Sequence, residues 1–292
     1  MIWANSVVQG ILLGGLYALF ATGLSLGFGV MRLVNLAHGD LAILAAFMAF
    51  SLVGTLTWNP LTTLVIILPA AFVLGYILQQ LVFHRVTGVD PAFQIVATFG
   101  LSIVIQNALL QRYTADTRGL SAKVGRTLQT RNFKINDKIA IGWLPLITFL
   151  CGVGVLSLLA LFLNRTKLGR AFRATSDDPD AARLMGIDHR RVYGVALGIA
   201  FATVALAGVL LGVRSSFDPF IGPSRLIYAF EAVIIGGLGS LWGTLAGGIT
   251  LGVAQGIGRQ ISPQWGELVG HLVFLAVLAN KPTGIFGKQL AR

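Results

Sequence analysis

Eight stretches of this chain are long and apolar enough to cross a hydrocarbon core, and together they leave little room for any other architecture. They run Ser6–Phe28, Leu33–Gly54, Leu61–Phe83, Ala92–Gln111, Trp143–Leu163, Val192–Val213, Phe230–Ile257 and Gly266–Asn280. A crossing takes about 20 mostly apolar residues. In lipid an unsatisfied backbone group is too costly to leave exposed, so runs of this length form helices. Barrel strands would instead show segments of about ten residues alternating in polarity. Composition agrees: only 11% of the 292 residues are Asp, Glu, Lys or Arg and 55% are apolar, against about 25% charged in a soluble domain. The expected fold is an all-α polytopic membrane protein forming a single domain over residues 1–292. Its glycines recur three or four residues apart, as in Gly10, Gly14 and Gly15 or Gly243, Gly247, Gly248 and Gly252, the spacing that lets membrane helices approach closely. The uncharged start Met1–Ser6 and the long first apolar run read as a retained first span rather than a cleaved signal peptide.

The charges are concentrated. Of 22 Lys and Arg, seven lie in Arg112–Lys138 and seven in Arg165–Arg191, with net charges of +5 and +3. One span separates the two stretches, so they lie on opposite faces, and the positive-inside rule alone does not orient the chain. The tail carries Lys281, Lys288 and Arg292. If Phe230–Ile257 returns to its own side, the tail shares a face with Arg165–Arg191, and that face is taken as cytoplasmic. An excess of +11 would suggest nucleic acid in a soluble protein; in a chain of spans it does not. The single cysteine, Cys151, cannot form an internal disulfide, and zinc-ligand spacings are absent.

Two spans are irregular. Asn35, His38, Gly39 and Asp40 interrupt the second, and Gly236, Gly237, Leu238, Gly239 and Ser240 interrupt the seventh. Paired interruptions in two halves of a transporter point to an inverted repeat whose broken or re-entrant helices line a path near mid-membrane. Ionisable groups inside spans are functional candidates. Asn35, His38 and Asp40 are expected to stabilise a broken helix at the pathway, Asp40 by accepting backbone hydrogen bonds; the alternative is an interfacial loop over Arg32–Asp40. Glu231 opens the second irregular segment and would cap or line it, while Gly236, Gly237, Gly239 and Ser240 would bring bare backbone to a solute. Glu267 and His271, four residues apart, are expected to form a local pair on one helix face.

The basic loop 165–191 holds a short helix with its own start and stop signals. Asp178 is an N-cap, Pro179 fits the first helical position, Asp180 complements the positive end, and Gly186 supplies a left-handed C′ residue. The helix Pro179–Met185 would present Ala181, Ala182, Leu184 and Met185 as a small apolar surface, either to a partner protein or to lipid headgroups. The run Asp180-Ala181-Ala182-Arg183-Leu184-Met185-Gly186 resembles the Glu-Ala-Ala-x-x-x-Gly signature with which bacterial ABC importer permeases dock their ATPases, with Asp for Glu and without the following Ile-x-Leu-Pro. Four further stretches lie in the same order as in one family. They are Gly29-Val30-Met31-Arg32-Leu33-Val34-Asn35-Leu36-Ala37-His38-Gly39-Asp40, Leu168-Gly169-Arg170-Ala171-Phe172-Arg173-Ala174, Gly236-Gly237-Leu238-Gly239-Ser240 with Gly243, Gly247 and Gly248, and Lys281-Pro282-Thr283-Gly284-Ile285-Phe286-Gly287. Together they resemble the permeases of the high-affinity branched-chain amino acid ABC importers over essentially the whole chain.

That resemblance implies a multi-pass protein of the bacterial inner membrane. Its partners would be a homologous second permease, two ATP-binding subunits and a periplasmic substrate-binding protein, in a lipid bilayer and without nucleic acid. The loop 165–191 would be the cytoplasmic coupling loop, and Arg118, Lys123, Arg126, Arg131 and Lys134 would steer an acidic rim of the binding protein. No cofactor is expected on this chain, ATP and Mg belonging to the partner subunits: the sequence has no Gly-x-x-x-x-Gly-Lys-Ser/Thr loop to cradle a nucleotide. Motifs of membrane proteases or hydrolases are also absent, so a transport subunit rather than an enzyme is expected. Urea, short amides or other amino acids are rival substrates, and a self-sufficient carrier or channel is the rival class.

Overall fold

The structure, a computed structural model, describes residues 2–88, 90–120, 132–136 and 139–286. It is a helical bundle with one small hairpin. The helices are α1 (Ile2–Met31), α2 (His38–Leu56), α3 (Leu64–Leu81), α4 (Pro91–Tyr113), α5 (Trp143–Arg165), α6 (Lys167–Asp177), α7 (Pro179–Leu184), α8 (His189–Arg214), α9 (Gly222–Gly236), α10 (Leu241–Ile261) and α11 (Trp265–Asn280). Strands β1 (Asn132–Asn136) and β2 (Ile139–Gly142) pair antiparallel just before α5. Among the described residues, six helices are long and apolar enough to cross a membrane. With the bent pair α9–α10 and the sixteen-residue α11 they occupy the eight segments marked by hydropathy.

The centre is built from α1 and α8, whose windows of span length are 89% and 78% buried. Glycine makes that possible. Along the α1–α10 contact, a Cβ added to Gly10 would lie 2.7 Å from the Gly252 carbonyl oxygen, and one added to Gly248 would lie 2.7 Å from that of Gly14. At the far end, one added to Gly256 would lie 2.6 Å from the Ser6 carbonyl oxygen. The two backbones touch over about three turns of α1, the contact that small residues at this spacing allow. The outer helices α3, α4 and α5 instead expose aliphatic side chains such as Val65, Val96 and Leu158, suited to lipid.

The chain folds as two inverted halves, with α5, α6 and α7 between them. α1 packs on α10 and α8 on α3; α9 packs on α1 and α2 on α8; α4 packs on α2 and α11 on α9. These contacts of the first half therefore have counterparts in the second. The two halves run in opposite senses. The last turn of α1 sits beside α6, where the Gly29 carbonyl accepts a hydrogen bond from Ser176 Oγ, whereas α8 begins on that face directly after α7. The N-terminal half of α1 lies at the other face, where Gln9 Nε2 donates to the β2 carbonyl of Ala140 at 2.6 Å.

Each half contains a helix that starts inside the bundle. After Met31 the backbone turns at Arg32, which has a φ of 51°, and runs back extended until His38 Nε2 meets the Phe20 carbonyl at 2.8 Å. Phe20 lies about 16 Å up α1 from Met31, so α2 starts close to mid-depth. In the second half the chain returns from the end of α8 through Phe217, paired with Arg118, and α9 starts at Gly222. This second interior start lies upstream of the Gly-rich run in which the sequence placed it. The turn at Gly237–Ser240 sits instead at the face bearing α6, with Gly239 against Gly29, and α9 and α10 meet there at 117°. Gly237 and Gly239 adopt φ values of 96° and 79° to make that turn. The amides of Ile285 and Phe286 close it by bonding the Ile235 and Gly236 carbonyls, which puts the end of α11 on the face of the loop 165–191.

Candidate functional site

The interior starts of α2 and α9 meet. A Cβ on Gly39 would overlap the Gly222 carbonyl oxygen, and one on Gly222 would overlap the Asp40 carboxylate, so only glycine fits at either position. The segment before α2 is held by Asn35, whose Oδ1 accepts from the Ala37 amide at 3.0 Å. Asn35, His38 and Asp40 are 4%, 1% and 0% exposed, which rules out a solvated interfacial loop. Asp40 differs from expectation in its partners. Its cross-helix bonds come from side chains of α4: Ser102 Oγ donates to Oδ2 at 2.5 Å and Gln106 Nε2 to Oδ1 at 3.0 Å. The carboxylate thus ties α2 and α4 together at the point where two helix N-termini, each a partial positive charge, converge.

Glu231 does not line the α9–α10 turn. It lies on the second turn before it, buried, with one oxygen bonded to His271 Nδ1 on α11. The expected pair of Glu267 with His271 does not form: His271 pairs instead with Glu231. A buried carboxylate gains more from a partner than an exposed one does, because water has been stripped from it. Tyr228 stacks on His271 with ring centroids 6.1 Å apart and lies 5.1 Å from Tyr17, whose hydroxyl donates to Gln255 Oε1 at 2.5 Å. Arg225 lies 6.0 Å over the Tyr228 ring, and Arg259 Nη2 reaches Gln255 Oε1 at 3.3 Å. Of this polar column at α1, α9, α10 and α11, the sequence singled out Glu231 and His271 but not Tyr17, Arg225, Tyr228, Gln255 or Arg259. For the rest, the one sequence signal is that Arg214 and Arg225 bracket the second interior start. Gly236, Gly237, Gly239 and Ser240 lie away from it, at the far end of α9, where the Ser240 hydroxyl caps α10 by accepting from the Gly243 amide at 3.1 Å.

On the face bearing α6, the short helix forms as its signals require. Asp178 Oδ1 accepts from the amides of Asp180 and Ala181, both at 3.0 Å, and Pro179 fills the first position. Gly186 adopts a φ of 80° and the Ile187 amide closes back on the Ala182 carbonyl at 3.0 Å. Its apolar residues divide. Ala182 is 4% exposed and packs inward, whereas Leu184 and Met185 are 89% and 83% exposed. The helix is seated on α6, which is anchored to α5 by Phe172 against Phe162 and by Arg173 Nη1 to the Leu163 carbonyl at 2.7 Å. On the opposite face Arg118 pairs with Asp116 at 3.0 Å and covers Phe50. Lys134 stands on β1 opposite Ala140. Lys123, Arg126 and Arg131 lie outside the described residues.

An inverted-repeat helical bundle with two interior helix starts and a capped apolar helix on one face defines a multi-pass transport permease. Residues 6–278 match the family described as the permease component of the branched-chain amino acid transport system, and the chain belongs to that family. It is similar to the high-affinity branched-chain amino acid transport system permease protein BraD of Pseudomonas aeruginosa, 29% identical over 98% of this chain and 96% of that one. It is equally similar to the permease protein LivH of Escherichia coli K12, 29% identical over 97% of this chain and 95% of the relative. The chain is a transport component, not an enzyme.

Proposed function

We propose that this chain is the membrane-spanning permease subunit of an ATP-driven, binding-protein-dependent importer for branched-chain amino acids in a bacterial inner membrane. The observation that carries the reading is α7: a capped, rigid two-turn helix that points Leu184 and Met185 away from the protein. A self-sufficient carrier has no use for it, and an ATP-binding partner with an apolar cleft does. On this reading the face bearing α6 and α7 is cytoplasmic. ATP and Mg reside on two partner subunits, a homologous permease completes the membrane unit, and the binding protein approaches the face bearing the β hairpin, where Arg118 and Lys134 belong to a basic rim. Loop 165–191 is the coupling loop, in which Asp178, Pro179 and Gly186 hold the helix while Leu184 and Met185 make contact.

The family and both relatives favour branched-chain amino acids over urea and short amides. Changing Leu184 and Met185 to Glu places two charges in the contact; the ATP-binding subunit should no longer copurify, while the permease still inserts and keeps its thermal unfolding midpoint. Retained copurification would count against the docking role. Uptake of leucine by proteoliposomes holding this chain alone, without ATPase or binding protein, would falsify the assignment in favour of a carrier.

A further inference from the structure

Four buried polar atoms in one region have no hydrogen-bond partner: Arg214 Nη1, Arg225 Nε, Glu231 Oε2 and Gln255 Nε2. They come from α8, α9 and α10: Arg225, Glu231 and Gln255 belong to the polar column, and Arg214 ends α8 within electrostatic reach of it. Arg214, Arg225 and Arg259 lie within electrostatic reach of the Tyr17 hydroxyl. Among the described residues the ion pairs are Arg118–Asp116, Arg191–Asp188 and His271–Glu231, so none of these three arginines is paired with a carboxylate. Glu267, on the first turn of α11, is in none of these pairs.

A guanidinium does not deprotonate in a protein, so these are three standing positive charges. Unpaired charges within or beside apolar spans are retained where they face a polar path or a ligand. The column has a direction. Arg259 stands on the last turn of α10, towards the hairpin face. Gln255 is one turn deeper, Tyr17 is at the middle of α1, and Tyr228 with the His271–Glu231 pair follows. Positive charge comes first and the free carboxylate oxygen of Glu231 about 9 Å beyond Arg225 along α9.

We infer that Arg214, Arg225 and Arg259, with the Tyr17–Gln255 pair, form a carboxylate-binding station on the route of the solute through this subunit. Guanidinium groups are the side chains best matched to a carboxylate, which they bind through paired charge-assisted hydrogen bonds. Gln255 Nε2 supplies a neutral donor beside them, and the Glu231 oxygen left free by His271 is the next acceptor, suited to the ammonium end of an amino acid. The inference rests on the proposed function for the identity of the solute, but its chemistry, a small carboxylate, stands separately.

The test uses the assembled importer in proteoliposomes and the arginine-selective reagent phenylglyoxal, with modification read residue by residue by mass spectrometry. L-Leucine and isovalerate, which both carry the carboxylate, should slow modification of Arg225 and Arg259 by about threefold or more when near-saturating; isoamylamine, which lacks it, should not. Arg225→Gln and Arg259→Gln should each lower leucine uptake about tenfold, the loss of one charge-assisted contact, with Arg225→Lys recovering part. ATPase stimulation by the binding protein shows that the variants assemble, and where one does not, protection in the wild-type importer decides. Equal modification with isovalerate and isoamylamine, or unchanged uptake in both glutamine variants, overturns the station. Protection by the binding protein alone overturns it too, and assigns the arginines to a protein contact. A wild-type importer that moves no branched-chain amino acid defeats the proposed function while protection by isovalerate still decides the station.

Discussion

Asp40 is the residue where the sequence came nearest to the structure and still missed its role. A carboxylate inside a span had to be satisfied, and Asn35, His38 and Asp40 so close together marked either a broken helix or an interfacial loop. Its partners, Ser102 and Gln106, are neutral residues some sixty positions away that look like ordinary polar members of a span. With the carboxylate removed, Asp40→Leu leaves the buried Ser102 hydroxyl without its acceptor and half-buried Gln106 with only Ser102 Oγ at 3.1 Å, and should cost about 1–3 kcal/mol. Asp40→Asn keeps an acceptor and should cost less. Thermal unfolding of the purified protein in detergent orders the two, and an equal midpoint for both would show that the carboxylate does not hold α2 to α4. Tyr17 was illegible for a related reason. A tyrosine among leucines and alanines reads as packing until Gln255, far away in sequence, is brought to its hydroxyl.

Elements were read well where their signals are local. The cap at Asp178, the proline at Pro179 and the left-handed Gly186 all concern neighbours within eight residues, and α7 forms as they dictate. Gly186→Ala should therefore cost about 1–2 kcal/mol by forcing a Cβ into a left-handed backbone, and should weaken ATP-binding-subunit association without affecting insertion. Which residues of α7 face outward was not local. Ala182 is turned in because α7 lies on α6 and α8, so a small substitution there acts on packing rather than docking. The α1–α10 seam carries the stronger prediction at this scale. Gly248→Leu has no space between two touching backbones and should abolish accumulation of folded permease, whereas Gly54→Leu, with nothing near a Cβ, should be tolerated. Comparable accumulation of the two, by fluorescence size-exclusion chromatography, would contradict the seam.

At the scale of the whole molecule, the inverted repeat ties the parts together. It puts the first residues of α1 on the hairpin face and the end of α11 on the face of α7, so the hairpin and the loop 165–191 lie on opposite faces. In a Cys151→Ser background, a cysteine at Thr55 and one at Leu184 should label from opposite sides of the membrane with an impermeant maleimide, Leu184 from the cytoplasm. Labelling of both from one side would break the topology. The sequence by itself determined that the chain is a bundle of membrane helices, where most of them lie, and which loop carries the short capped helix, because hydropathy and caps act over one or two turns. The tertiary structure decided where the second interior start falls and which polar groups gather around it. A glycine run looks the same at a surface turn as at mid-depth. Only the long-range packing of α1 against α10, with α9 against both, determines its depth and brings Arg225, Gln255 and Tyr17 together.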